Sequence, residues 1–188
     1  MSKKRVLALC AGLLCLLQTP VWSADLTEGL SGMKWGINIA ETKNLIRVGS
    51  NANVEYYIDP EVVHTIGDIS INQVIYGFYD RRFFAAYANL ENLEAFYRMK
   101  EELQGRYGVP KTVYGENGRP SIYRWKSGKV KIKLKVDSSG RKIKAAFYFI
   151  PLSDQVNESN EEKFRENKIK FLPIERGKTP KRLPLLEF

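Results

Sequence analysis

Eight residues constrain this chain more than any others. From Lys129 to Val136, lysine alternates strictly with Val130, Ile132, Leu134 and Val136. Period two puts the apolar side chains on one face and the charges on the other, which defines a half-buried β-strand. Ser127-Gly128 on one side and Asp137-Ser138-Ser139-Gly140 on the other read as turns, so the run is the middle strand of an antiparallel meander.

Closing those turns predicts Trp125 opposite Val130, Tyr123 opposite Ile132, Leu134 opposite Ile143 and Ile132 opposite Ala145. Each of these apolar residues then falls on one side. The other side collects Arg124, Lys126, Lys129, Lys131, Lys133, Lys135, Lys142 and Lys144. A one-residue slip would scramble both faces, so the parity is strongly specified. This register sets Arg124 against Lys131, Lys133 against Lys144 and Lys135 against Lys142. Like charges directly opposite destabilise a sheet by roughly 0.2–1 kcal/mol per pair.

The basicity is local. The chain carries a formal +9 over 188 residues, and residues 1–24 contribute three of those positive charges and no negative ones. The remaining +6 divides into +9 from residues 119–144, with ten Lys or Arg against Asp137, and −3 from everything else. Two readings compete for such a face. Lysines keep an outer sheet face soluble and discourage edge pairing, and salt with a Debye length of about 8 Å screens their repulsion. Alternatively the face meets an anionic partner: a polyanion, a lipid headgroup surface or an acidic protein.

Residues 1–24 predict an export signal. Lys3, Lys4 and Arg5 precede the apolar run 6–17, and Gln18-Thr19-Pro20 break it before small residues. Cleavage after Ser23 or Ala24 leaves a periplasmic or secreted product. The run is too short to span a bilayer, and no apolar stretch in the rest of the chain is long enough. Both cysteines, Cys10 and Cys15, lie in this segment, so the expected product has no disulfide and must be held by its core.

Along the remainder, Asn38-Ile39-Ala40-Glu41 has the pattern of a capping box and predicts a short helix over 39–47. Strands are expected at 54–58, 69–79 and 82–90, with a loop carrying Glu61 and His64 between the first two. The aromatics of the last two runs occupy both parities, which requires cover on both faces. Residues 92–107 are the clearest helix, with Leu93, Phe96, Met99, Leu103 and Tyr107 at three- and four-residue spacing, stopped by Gly108 and Pro110. The two halves share only a coarse order of helix then strands. After Asp154 the chain turns polar and then basic, with Pro173, Pro180 and Pro184; such a composition resists packing.

The expected architecture is α+β. An antiparallel sheet packs on one long and one short helix, within a domain at 25–153 followed by an extended, mobile tail at 154–188.

Gly32-Met33-Lys34-Trp35-Gly36, the residues YGFYDRRFFAAY at 76–87 and YGVP at 107–110 resemble a group of small secreted bacterial proteins. These share a G-x-x-W-G start, a Y-x-F-Y hairpin and a helix ending in Y-G-x-P. The resemblance covers most of residues 30–150 and implies an envelope or secreted α+β module. It brings no functional residue, cofactor or partner, and has no counterpart for the basic tail.

Catalytic signatures are sparse. His64 is the one histidine, with Asp59 and Glu61 nearby, short of the usual zinc-ligand pattern. There is no nucleophile elbow, phosphate loop or dinucleotide glycine pattern. No catalytic residue, cofactor or metal is assigned, and nucleic acid is not the expected partner. The leading expectation is a non-enzymatic binding or assembly module of the envelope or secreted space. An anion-binding protein using the lysine face is its sharper form, and a hydrolase with a paired-carboxylate site, which leaves no sequence signature, is the enzymatic alternative.

Overall fold

A computed structural model describes residues 26–66, 69–115, 120–137, 140, 142–160 and 181–185. The expected export signal lies outside these residues.

The chain opens with a small hairpin of β1 (Gly29–Leu30) and β2 (Met33–Lys34), then a 3-10 turn at Ile39–Glu41. Next come β3 (Ile46–Asn51), β4 (Val54–Ile58), β5 (Val62–Ile66), β6 (Ile69–Ile71), β7 (Val74–Tyr79) and β8 (Arg82–Leu90). Helix α1 (Leu93–Tyr107) leads to β9 (Lys111–Tyr114), β10 (Pro120–Ser127), β11 (Val130–Val136) and β12 (Ile143–Phe149). Helix α2 (Ile150–Asn160) and β13 (Lys181–Pro184) complete the described chain.

Among the described residues, eight strands form one antiparallel sheet in the order β3-β4-β7-β8-β12-β11-β10-β9. The two halves noted in the sequence have a topological counterpart here. Each supplies four strands in chain order, and the last strand of each, β8 and β12, pair at the centre, with Ala145 opposite Ala88.

Each face carries a buried cluster. On one, Ala95, Phe96, Met99 and Leu103 of α1 join Trp125, Val130, Ile132, Leu134, Ile143, Ala145 and Phe147 in a single buried cluster. This is the packing that the alternation and the helical stripe predict. Asn92 caps α1, its side chain accepting from the Ala95 amide. On the other face, Leu152 and Val156 of α2 cover Val54, Tyr56, Ile58, Ile75, Phe84 and Ala85. A bulge between Gly77 and Phe78 interrupts the alternation, so that consecutive Phe84 and Ala85 both enter the α2-side core while Phe83 and Ala86 enter the other.

Four expectations are corrected. The helix predicted over 39–47 is only the 3-10 turn, followed by edge strand β3. The capping box does form, with Asn38 Oδ1 accepting from the Ala40 amide and Glu41 Oε1 from the Asn38 amide. Thr42 is already extended at ψ 153°, however, and Asn44 is left-handed at φ 64°. Few apolar side chains are available to hold a longer helix, and pairing with β4 takes the residues instead. The single strand expected over 69–79 is broken at Asn72-Gln73, giving β6 to a three-stranded sheet and β7 to the large one. Residues 62–66, expected as loop, form β5.

The fourth correction concerns the tail. Helix α2 runs across the boundary expected at 153/154, because Leu152 and Val156, one helical turn apart, bury against the sheet. Further on, β13 pairs in parallel with β5, and Leu185 is buried in the α1-side core. These stretches belong to the domain. Residues 161–180 lie outside those described.

Candidate anion-binding surface

The basic face forms as the alternation predicts, but one rung further along each ladder. Trp125 lies opposite Ile132 and Tyr123 opposite Leu134, while Leu134 lies opposite Ala145 and Val136 opposite Ile143. Each register differs by two residues from the sequence expectation, so parity and both faces survive. The turns explain the shift. Gly128 takes the first position of a two-residue loop with φ 52°, where a II′ hairpin requires positive φ. Across the second turn Asp137 and Lys142 pair instead of closing the loop early. The Asp137 amide donates to the Lys142 carbonyl, and the Lys142 amide donates to Asp137 Oδ1.

The cross-strand partners change accordingly. Arg124 faces Lys133, Lys126 faces Lys131 and Lys135 faces Lys144. The three expected pairs are replaced by three other like-charge pairs. Lys129 sits in the β10–β11 turn, and Lys142 just precedes β12, both exposed. All eight predicted residues therefore lie on three adjacent strands or their turns. Neighbouring strands stand about 4.8 Å apart and same-face residues along a strand about 6.6 Å, which makes the face a close grid of charge.

Three participants escaped the sequence reading. Lys111 on β9 pairs with Arg124 and extends the face by one strand. Tyr148 lies beneath the lysines: Lys133 Nζ stands 5.3 Å from its ring centroid. Burial, then the charges of Lys131 and Arg124, hold the Lys133 ammonium below its ordinary pKa. Asp154 on α2 is the third. Tyr148 shares the even-numbered parity of Lys144 on β12 and was legible; Lys111 and Asp154 join only through tertiary contacts.

Arg47 and Glu55 form a salt bridge at 3.0 Å near the far edge of the sheet. Among the described residues, Arg124, Lys126, Lys131, Lys133 and Lys135 take no part in one. At the β9 end, the face opens into a groove of about 530 Å³. Lys111, Arg124, Lys126 and Lys131 line it together with Tyr107, Val109, Trp125, Ile150 and Asp154. Among the described residues that line it, Asp154 is the carboxylate.

His64 is corrected too. It is a strand residue on β5, 2% exposed. Its Nε2 lies 2.7 Å from the Tyr76 hydroxyl and its Nδ1 3.3 Å from Ser31 Oγ. Burial, reinforced by the charge of Asp59 and opposed by a hydrogen bond with Ser31, pushes the Tyr76 phenol above its usual pKa. Glu61 accepts from Asn44 Nδ2, and its amide donates to Asp59 Oδ1. Among the described residues, no three His, Cys, Asp or Glu side chains converge on a point that could hold a metal. Among them, too, no helix is long and apolar enough to cross a membrane.

No known protein family, curated protein or solved structure matches this chain.

Proposed function

We propose that this protein is a non-enzymatic binding module of the cell envelope or secreted space, and that its working surface is the basic face of the sheet. The observation that carries this reading is the run of three like-charge pairs, Arg124–Lys133, Lys126–Lys131 and Lys135–Lys144, set directly opposite one another. Each pair costs about 0.2–1 kcal/mol. A face that needed only solubility would mix signs and avoid that cost. One-sided charge is what an anionic surface rewards, because each neutralised contact releases counterions.

Exchanging Lys131→Glu with Lys133→Glu tests the reading. Association with heparin or with anionic vesicles is expected to be lost. Stability should stay within about 1 kcal/mol of the parent, because the exchange turns the Lys126–Lys131 and Arg124–Lys133 repulsions into attractions while giving up the Lys133 contact with Tyr148. Retained binding by a folded double variant would overturn the assignment of this face.

Export is part of the same proposal. Mass measurement of the protein recovered outside the cytoplasm should place its first residue at Ala24 or Asp25. A recovered product that keeps residues 1–20 would contradict it.

A further inference from the structure

The groove at the β9 end differs chemically from the rest of the basic face. Strand β9 begins at Lys111, opposite Arg124, whereas β10 continues to Ser127. The chain before Lys111 turns away through Gly108, at φ 75°, and Pro110. An opening is left between that turn, the β10 edge, Lys131 of β11 and the start of α2. Its volume of about 530 Å³ suits a small organic ligand.

Its walls are of two kinds. Four cations from three adjacent strands converge there, and one of them is an arginine, whose planar fork matches phosphate oxygens. Beside them Val109 is 85% exposed, an unusual setting for a branched aliphatic side chain at the rim of a charged site. A polyanion lying across the flat face would use charge alone. A groove with cations along one wall and an exposed valine at its lip instead matches an anion joined to an apolar body. Asp154, the carboxylate in the lining, lowers the local positive charge.

We propose that this groove binds the phosphate-ester head of an anionic amphiphile, with Arg124, Lys126 and Lys131 on the phosphate and Val109 against the apolar portion. The inference rests on the reading of the basic face as a binding surface, and names the ligand chemistry of one end of it.

The test uses the full chain and two soluble probes, glycerol 3-phosphate and dihexanoyl phosphatidic acid below its micelle concentration, followed by vesicles containing phosphatidic acid. Titration calorimetry should show the short-chain lipid binding about tenfold or more tightly than glycerol 3-phosphate. Arg124→Gln with Lys126→Gln should weaken both probes by roughly a hundredfold. Val109→Ser should weaken only the lipid. Asp154→Asn should tighten both, a gain that misfolding cannot imitate. Lys135→Gln with Lys144→Gln, at the far end of the face and outside the groove lining, should weaken both soluble probes far less than the Arg124–Lys126 pair does.

Equal affinity for the two probes would overturn the amphiphile and leave a soluble phosphate ester as the ligand. Vesicle binding without binding of either soluble probe, or equal losses from the distal pair, would overturn the groove while sparing the face. Failure of both vesicles and soluble probes to bind would overturn both.

Discussion

Replacing Trp125 with alanine is expected to lower stability by about 3–5 kcal/mol, a large share of the roughly 5–15 kcal/mol typical of a folded domain. Trp125 is 4% exposed and packs in the α1-side core. Its ring stacks near Tyr123 at 6.3 Å, and its Nε1–H donates to the Gly108 carbonyl at 2.9 Å. The alanine variant thus opens a cavity between sheet and helix and removes a donor from the carbonyl that ends α1. Trp125→Phe keeps most of the ring and loses the hydrogen bond, so it should cost much less. Urea denaturation separates the two. A loss under 1 kcal/mol for the alanine variant would show that this contact does not hold helix to sheet.

Alkaline pH should unfold the protein by a route that the α2-side core defines. Burial pushes the phenols of Tyr56 and Tyr148 up to about 12, and holds that of Tyr87 well above its usual range. Tyr56 and Tyr148 both lie against the Tyr87 ring, at 6.2 and 5.7 Å. In the unfolded chain these phenols ionise near pH 10, so above that pH the unfolded state holds fewer protons than the folded one. Stability must then fall as pH rises. A tenfold difference in proton affinity between the two states is worth about 1.4 kcal/mol. Tyr56 and Tyr148 together therefore remove of order 3–5 kcal/mol between pH 10 and 12, after allowance for solvent screening.

Lys133 works in the opposite sense. Its ammonium is held below its ordinary 10.5, so the unfolded state binds the extra proton and stability rises gently as pH approaches that value. Denaturation midpoints should therefore climb slightly and then drop steeply beyond pH 10. Tyr148→Phe should flatten the drop. Midpoints unchanged from pH 10 to 12 would mean that these hydroxyls are not shielded as described.

The reach of sequence reasoning differs from one element to the next. Helix α1 was legible because its buried residues recur at helical spacing and Asn92 and Gly108 mark its ends. The meander was legible in parity but not in rung. Each turn offers closures two residues apart that keep every side chain on its face. The choice between them rests on the conformation of Gly128 and the bonds between Asp137 and Lys142. Strand β5 was hidden because its flanks, Asp59-Pro60-Glu61 and Gly67-Asp68, look like loop. Its burial comes from β6, β13 and the side chains of Ser31 and Tyr76, all contributed by other segments of the chain. The groove was invisible for the same reason. Lys111, Arg124, Lys131 and Asp154 meet only once the order of strands and the seat of α2 are known, and local periodicity carries neither.

The most direct test of the basic face as a binding surface is the salt dependence of its association with heparin. The face brings Arg124, Lys126, Lys131, Lys133, Lys135 and Lys144 together on three adjacent strands. If several of them meet anionic groups at once, the logarithm of the binding constant should fall linearly with the logarithm of salt concentration. Between about 50 and 200 mM the slope should be of order −3 or steeper, and Lys131→Glu with Lys133→Glu should remove it. Undetectable binding at about 50 mM salt, or an affinity indifferent to salt, would contradict the account and leave the lysines as a solubilising outer face.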